Sequence, residues 1–382
     1  MARLGDVFCI SSGGTPDKKQ TKYYKNGTIP WVKTGDLKEK FVSHDIERIT
    51  QDGLDNSSAK LFPPDTVLVA MYGATIGACS ILDFEASTNQ ACAAFLPTSK
   101  VLPDYLYYFL NSKKDIFVQS GVGGAQPNIS AGYLKKFPFD VIPLDEQKKI
   151  VLVLDKIDAL ISLRKQQLAK LDELVKARFV EMFGTFPANP KNWETCKIRD
   201  IVVDVRYGTS RPAVENGAYP YLRMNNITYS GELDLSDIKR IDVPENELPK
   251  CTVKRGDVLF NRTNSKELVG KTCVYDRDEM MVLAGFVIRI RVNSCILPDF
   301  LSSFLNTDFS KQMLCDMCKA AIGQANINAQ EMQNIALYLP PFELQQEFVE
   351  LKEKINREKL TIQQSLDKLE VLKKSLMQEY FG

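Results

Sequence analysis

Pro16-Asp17, Asp36 and Lys38 trace the order Pro-Asp…Asp-x-Lys. In that pattern two carboxylates hold Mg²⁺ and a lysine stands beside the attacking water. The second half of the chain has Asn226-Ile227-Thr228 where the first has Asp36-Leu37-Lys38, so only one half could run that chemistry. Gly270-Lys271-Thr272 ends like a phosphate-cradling loop, but Ser265 stands where its first glycine belongs, and the cradle needs that backbone freedom. Cys315 and Cys318 form one C-x-x-C, expected on the helix that Pro298 opens, without a second pair or a histidine near it. A nucleophilic triad would have to use His44, the single histidine, in a polar and charged stretch that reads as surface. No G-x-G-x-x-G opens a helix after a strand. The Asn-Pro-Pro-aromatic tetrad by which an amino-methyltransferase holds its target base is missing too, since Asn189-Pro190-Lys191 departs from it at the third position. What remains are basic residues interleaved with amides: Lys18, Lys19, Lys22 and Lys25 beside Gly13-Gly14-Thr15-Pro16, then Lys33, Lys38 and Lys40, then Arg206, Arg211, Arg223, Arg262, Lys266 and Lys271. Asn225-Asn226, Asn261-Arg262-Thr263-Asn264 and Gln126/Asn128 stand among them. Arginine pairs bidentately with guanine, and Asn or Gln with adenine; the plainer alternative is that Asn, Thr and Gly build turns.

The elements that must carry these residues follow from composition and repetition. The 382 residues hold 49 Lys+Arg against 48 Asp+Glu, a net charge of +1. By segment the counts are 15 and 14 for 1–143, 8 and 7 for 144–183, 19 and 19 for 184–341, and 7 and 8 for 342–382, so any nucleic-acid binding must come from local clusters. Nine irregularly spaced cysteines read as reduced thiols, and there is no signal-like start and no run of 18 apolar residues, which points to a cytoplasmic chain without a membrane span.

A repeat organises the chain at a spacing near 195 residues. Gln126-Pro127-Asn128-Ile129 returns as Gln324-Ala325-Asn326-Ile327, Leu102-Pro103-Asp104 as Leu297-Pro298-Asp299, and Phe183-Gly184 as Phe381-Gly382. Asp65-Thr66-Val67-Leu68 aligns with Asp257-Val258-Leu259-Phe260. The divisions are 1–143, 144–184, 185–341 and 342–382. The first and third are mixed, with short strands and a proline-opened helix at Pro103 and at Pro298. The second and fourth are long helices. In 144–183 apolar residues fall at 150, 154, 157, 161, 168, 171 and 175, with Arg164 filling the gap, a heptad stripe on a helix roughly 60 Å long. The second helix has Phe348, Ile355, Ile362, Leu366, Leu369 and Leu376 on its stripe. Lys352, Lys359 and Lys373 interrupt it with Leu351, Leu360 and Leu372 beside them, so the stripe is expected to shift. The fold class is α+β: two mixed globular domains separated by two long helices, which pack on each other as an antiparallel coiled coil or, alternatively, mediate dimerisation.

Several long strings give this plan a family likeness: Ile29-Pro30-Trp31-Val32-Lys33-Thr34-Gly35-Asp36-Leu37, Leu61 through Gly77, Thr88-Asn89-Gln90-Ala91-Cys92, Gly123 through Ser130, and Ile142-Pro143-Leu144-Asp145-Glu146-Gln147. The chain resembles the specificity subunit of type I restriction–modification systems over essentially its whole length, more loosely in the second half. The resemblance implies a target recognition domain in each half, helical spacers that set their separation, and recognition of a bipartite, asymmetric double-stranded DNA site. It implies no chemistry in this chain. Two modification subunits on the spacers would methylate adenine with S-adenosylmethionine, and restriction subunits would use ATP and Mg²⁺. Loops around 14–19, 33–38 and 72–76, and around 208–211, 223–226 and 262–266, are then expected to face DNA. The residues concerned are Thr15, Lys18, Lys19, Lys33, Thr34, Tyr72 and Thr75 in the first half. In the second they are Thr209, Arg211, Arg223, Asn225, Asn226, Arg262, Thr263, Asn264 and Lys266, with Asn225, Asn226, Arg262 and Asn264 aimed at base edges. Gln126–Ile129 and its copy, alike in both halves, are expected to link domain to spacer. Two other readings stay open: a stand-alone Mg²⁺ nuclease on Asp17, Asp36 and Lys38, and a helical scaffold that binds no DNA.

Overall fold

The computed structural model describes residues 2–121, 128–321 and 324–382. It divides into two units, 1–164 with 365–382, and 165–364. Each unit therefore holds one globular domain and half of each long helix, Leu144–Phe183 and Phe342–Phe381.

In the first unit, Ile10–Ser12, Cys92–Phe95, Val67–Ala70 and Cys79–Ile81 lie in that order as an antiparallel sheet. A second sheet runs Arg48–Ile49, Ile29–Val32, Ala86–Thr88, Leu61–Phe62, its middle pair parallel. The second unit repeats both orders: Val202–Tyr207, Val287–Val292, Val258–Asn261, Thr272–Val274, and Lys239–Ile241, Tyr219–Leu222, Met281–Leu283, Thr252–Val253, again with a parallel middle pair. Side chains alternate across a strand. Val67 and Val69 therefore face the helices while Leu68 and Ala70 face the second sheet; Val258 and Phe260 face the helices while Leu259 faces the second sheet. This corrects the alignment made on Asp65 and Asp257. Asp65 N–H donates to Leu82 O and Gly256 N–H to Tyr275 O, both residues with left-handed backbone (φ 66° and 89°). Asp65 thus corresponds to Gly256. A one-residue slip would have turned every side chain of the strand to the wrong face.

The proline-opened helices Pro103–Ser112 and Pro298–Leu305 pack on the helix-facing side of the first sheet and receive the long helices. In the first unit Asp158 and Lys373 approach to 2.5 Å, and Leu154 shares a core with Leu376 and Phe381. In the second, Asp172 meets Lys359 at 2.5 Å and Phe179 meets Phe348 with ring centroids 5.2 Å apart. Earlier positions on one helix meet later positions on the other, so the helices are antiparallel in both units. The expected stripe on the first long helix is buried or half-buried throughout. The stripe on the second does not shift: Lys352, Lys359 and Lys373 hold heptad positions, while Leu360 and Leu372 are 61% and 47% exposed. Each lysine lays its stem along the seam and delivers its ammonium to a carboxylate, Asp299, Asp172 and Asp158 respectively.

Each long helix is anchored at its start by one glutamine with no exposed surface, Gln147 or Gln345. Gln147 Oε1 accepts from Leu102 N–H (2.8 Å), and Nε2 donates to Lys100 O and Ile142 O (3.0 and 2.8 Å). Gln345 repeats this with Leu297 N–H (2.9 Å), Cys295 O and Pro340 O (3.2 and 2.9 Å). Gln147→Ala and Gln345→Ala should each cost about 2 kcal/mol or more, because three buried backbone groups lose their partner. Leu360→Glu, on the exposed side, should stay within about 0.5 kcal/mol. Urea denaturation of the full chain measures both, and equal losses from all three variants would refute the anchoring role.

Candidate nucleic-acid interface

In each unit the ends of three strands and the loop after a fourth meet at one edge, and the expected site residues lie there. In the first unit Gly13-Gly14 lies against the strand Ala86–Thr88. Gly14 N–H donates to Thr88 O (2.9 Å), Trp31 Nε1 to Gly14 O (3.0 Å), Tyr24 Oη to Pro16 O (2.6 Å), and Thr15 Oγ1 to Gln90 Oε1 (2.5 Å). A Cβ on Gly13 would stand 2.0 Å from Thr88 O, so a side chain there would push the loop off the sheet. Asn89 N–H donates to Val32 O and Met71 N–H to Ala91 O, which brings the 33–36 turn and Tyr72–Thr75 to the same edge. Lys18 and Lys19 are exposed, Thr15, Lys33, Thr34 and Thr75 half-buried, and Tyr72 is 44% exposed. Lys33 Nζ meets Glu47 at 2.6 Å, and that hydrogen bond holds its pKa above the ordinary lysine value.

The second unit repeats the edge and hollows it into a cleft of about 480 Å³. Thr209, Arg211, Arg223, Asn225 and Arg262 line it together with Phe286. Thr209 N–H donates to Leu283 O (2.8 Å), as Gly14 does to Thr88 O. Arg262 lies over the Tyr207 ring, its guanidinium carbon 4.9 Å from the centroid, and Tyr207 Oη in turn accepts from Ala329 N–H at 2.8 Å. Arg211 is held by both oxygens of Glu247 (3.1 and 2.7 Å), which raises its pKa, and Arg223 donates to Asp237 Oδ2 and O, both at 2.9 Å.

Three expected residues have other work. Asn226 is buried: its Oδ1 accepts from Arg223 N–H (2.9 Å) and its Nδ2 donates to Asp234 O (2.8 Å). Asp36 does the same in the first unit, accepting from Lys33 N–H at 2.8 Å. Asn226 is therefore a turn cap rather than a base reader. Asp36 fills the cap by an oxygen that an amide supplies equally well, and Asp17 likewise accepts from Lys19 N–H at 3.0 Å. Thr263 is buried, with Oγ1 3.0 Å from Asn326 Oδ1. Asn264 is half-buried and caps Ser265 N–H (2.9 Å), and Lys266 is exposed beside it. Gln126 and Pro127 lie outside the described residues. Asn128 forms a β-bridge with Tyr72, and Ala325 and Asn326 pair with Asn264 and Thr263. Asn128, Ala325 and Asn326 therefore brace the edge that carries Tyr72 and Thr263, where a link to the spacer was expected. Cys315 and Cys318 sit on and after Asp308–Met317, one helix later than expected. His44 is exposed, stacked on Phe84 at 4.4 Å.

Sequence reasoning missed Tyr207, Phe286, Glu247 and Asp237. Tyr207-Gly208-Thr209 and Ser12-Gly13-Gly14 occupy matching places, so the glycine at both strand ends was a usable signal; the acidic partners had none.

Lys271 supports the Arg223–Asn226 turn, and Lys311 holds the segment after it at Tyr229. Lys271 Nζ donates to Met224 O and Ile227 O (3.1 and 2.5 Å), and burial lowers its pKa. Lys311 Nζ donates to Tyr229 O (2.7 Å) and sits 3.3 Å from that ring's centroid; mainly burial pushes its pKa down to about 8. Between pH 8 and the ordinary lysine value of 10.5 the unfolded chain binds a proton at this site that the folded chain does not, so stability gains from Lys311 as pH rises through that window. Denaturation at pH 8 and pH 10 should show a smaller rise for Lys311→Met than for the wild type. An identical rise would refute the depressed pKa.

The sequence model of the type I restriction modification DNA specificity domain matches residues 1–173 and again 190–372. The specificity subunit of the type I restriction enzyme EcoKI from Escherichia coli (strain K12) is 23% identical, over 93% of this chain and 81% of that one. Two solved structures share the fold. One is a chain from work on complex assembly and conformational transition of the type I R-M system (TM-score 0.61, 15% identity, covering 100% of this chain and 96% of that one). The other is the type I restriction–modification S subunit from M. genitalium (TM-score 0.52, 16% identity, 100% and 95%). Two specificity domains, one in each half and together spanning nearly all 382 residues, place this chain in the type I restriction–modification DNA specificity family.

Proposed function

We propose that this chain is the DNA sequence-specificity subunit of a type I restriction–modification complex, reading one half of a bipartite, asymmetric site with each globular domain. The observation that carries this reading is the doubled edge: the same strand ends, glycine loop and capped turn occur twice, presenting different side chains each time. The first edge offers Lys33, Thr34 and Tyr72 and the second Arg223, Asn225 and Arg262, so two different half-sites follow. Arg262, with its guanidinium carbon 4.9 Å from the centroid of the Tyr207 ring, has a planar fork that suits two parallel hydrogen bonds to guanine. Exposed Lys18 and Lys19 suit phosphates.

The long helices support the rest of the proposal. Leu152, Leu160 and Leu163 in the first unit, and Leu174 and Leu360 in the second, are each at least 43% exposed on faces turned away from the seam. They suit two modification subunits, which would bring S-adenosylmethionine and methylate adenine. Restriction subunits would contribute ATP- and Mg²⁺-dependent translocation and cleavage, and this chain would do no chemistry. Among the described residues no helix is long and apolar enough to cross a membrane, and a cytoplasmic complex is proposed.

Co-expression with the neighbouring modification subunit in methylation-free bacteria, followed by mapping of N6-methyladenine, tests the reading. One bipartite motif with a fixed gap is expected; a soluble complex that methylates nothing would refute it. Within that assay Arg262→Ala should relax one base position, at a cost of about 1–3 kcal/mol in binding, while Lys19→Ala should weaken binding to all sequences and lower the salt slope by about one. Uniform losses from both variants would remove the distinction between base reader and phosphate contact.

A further inference from the structure

The polar groups that line the cleft of the second unit are largely engaged with one another or with acids outside it. Tyr221 Oη lies 3.3 Å from Thr209 O and 3.1 Å from Arg211 O, and Thr209 Oγ1 accepts from Arg211 N–H (3.3 Å). The guanidinium groups of Arg211 and Arg223 are held by Glu247 and Asp237. What the walls offer an occupant is therefore carbon, from Pro212, Ala213, Met224, Ala284 and Phe286. Phe286 is 53% exposed, an aromatic ring left in water beside Arg262 and Asn225. At the matching places the first unit is different. Asn89 corresponds to Ala284, since their N–H groups donate to Val32 O and Leu222 O. Ala91 corresponds to Phe286, since their carbonyls accept from Met71 N–H and Arg262 N–H. Gln90 thus stands where the second unit has Gly285, and its Oε1 accepts from Thr15. The first edge has two amides and a buried alanine where the second has an open apolar hollow.

We propose that this cleft takes the 5-methyl group of a thymine, in the base pair beside the one that Arg262 reads. The inference deepens the specificity-subunit reading and rests on it. Among the groups that base pairs present in the major groove, the thymine 5-methyl is the only alkyl group, and the adjoining O4 is an acceptor. The charged residues lining the cleft are Arg211, Arg223 and Arg262, and arginine donates but does not accept. Thymine brings O4 to those donors and its methyl to the apolar walls. Cytosine would set its 4-amino donor against the arginines and, without a methyl, leave the walls in water. Phe286 is the specificity-determining residue, because its ring is the exposed wall that the methyl covers. At about 480 Å³ the cleft is much larger than a methyl group, so a longer substituent on the same carbon fits as well.

The test uses the complex with the modification subunit and duplexes carrying the motif that its methylation map defines. Each thymine of that motif is replaced in turn by deoxyuridine, which lacks only the methyl, and by 5-propynyl-deoxyuridine, which lengthens it. In the half-site where Arg262→Ala relaxes a base, one thymine position should bind about fourfold more weakly as deoxyuridine, the worth of one buried methyl group. The propynyl duplex should bind there at least as tightly as the thymine duplex. Phe286→Ala should make thymine and deoxyuridine equivalent at that position while leaving discrimination at the guanine intact. Ala213→Phe, which fills the cleft from an exposed position, should make the propynyl duplex the weaker binder. Thymine and deoxyuridine bound equally by the wild type at every position would overturn the inference and leave the specificity reading standing. So would a thymine preference that survives Phe286→Ala unchanged. A complex that methylates nothing overturns both.

Discussion

A forty-residue helix can hold a domain in place only if its first turn is fixed to that domain. One buried amide does this in each half. Gln147 and Gln345 each accept one backbone N–H and donate to two carbonyls, drawn from the loop before the proline-opened helix and from the last residues before the long helix. Three partners leave the amide no second orientation, and a buried polar group has no water to turn to. The direction in which the helix leaves is thereby set, and with it which residues meet across the seam. The aromatic clusters depend on that direction. Phe179 and Phe183 reach Phe300 and Phe348 at 4.9–5.7 Å, and Phe381 reaches Tyr105 at 5.3 Å, only because both helices arrive at the proline-opened helices at a fixed height.

The two domains differ where their common frame allows it. Gly77 and Gly270 share a left-handed backbone (φ 77° and 78°), and each donates to the residue ending a core strand, Ala70 or Asn261. Between the sheets of the first unit, Ala70 N–H donates to Ala78 O; in the second, Asn261 N–H donates to Lys271 O. Where the first unit has two small apolar residues, the second has an amide and a buried lysine. Lys271 then reaches two carbonyls of the turn that bears Arg223 and Asn225. The second turn is thus held from beneath by a side chain the first unit lacks. A shared frame with altered supports behind the loops is how one architecture can present two different surfaces.

Periodicity made the long helices and the repeat legible, because heptads and proline-opened helices are local patterns. The strands were legible as short apolar runs, but their register was not: Asp65 aligned by identity with Asp257, whereas backbone conformation pairs it with Gly256. The lysines of the second stripe were visible and misread. Their partners Asp299, Asp172 and Asp158 come from other elements, and nothing local says that a heptad lysine will find a carboxylate. At the edge the residue types were legible and their duties were not. Asn225 lines the cleft and Asn226 is buried beneath it, because a cap is defined by the N–H it accepts, three residues back at Arg223.

The near-zero net charge fits the state of the cations at that edge. Arg211 and Arg223 are held by Glu247 and Asp237, and Lys33 by Glu47. A phosphate approaching any of them competes with a carboxylate already in place, so each contact exchanges one anion for another rather than neutralising a bare cation. Non-specific affinity for DNA grows with the number of phosphates neutralised by free cations. If this edge meets DNA as proposed, its paired arginines would gain little from DNA of arbitrary sequence, and base discrimination would fall to groups without a carboxylate partner. Arg262 is such a group: its hydrogen-bonding fork rests on the Tyr207 ring instead of on an acid. Carboxylates on the flanking arginines and an aromatic support for Arg262 thus act in one direction. On the proposed reading they would lower the background without taking the donors that would distinguish one base from another.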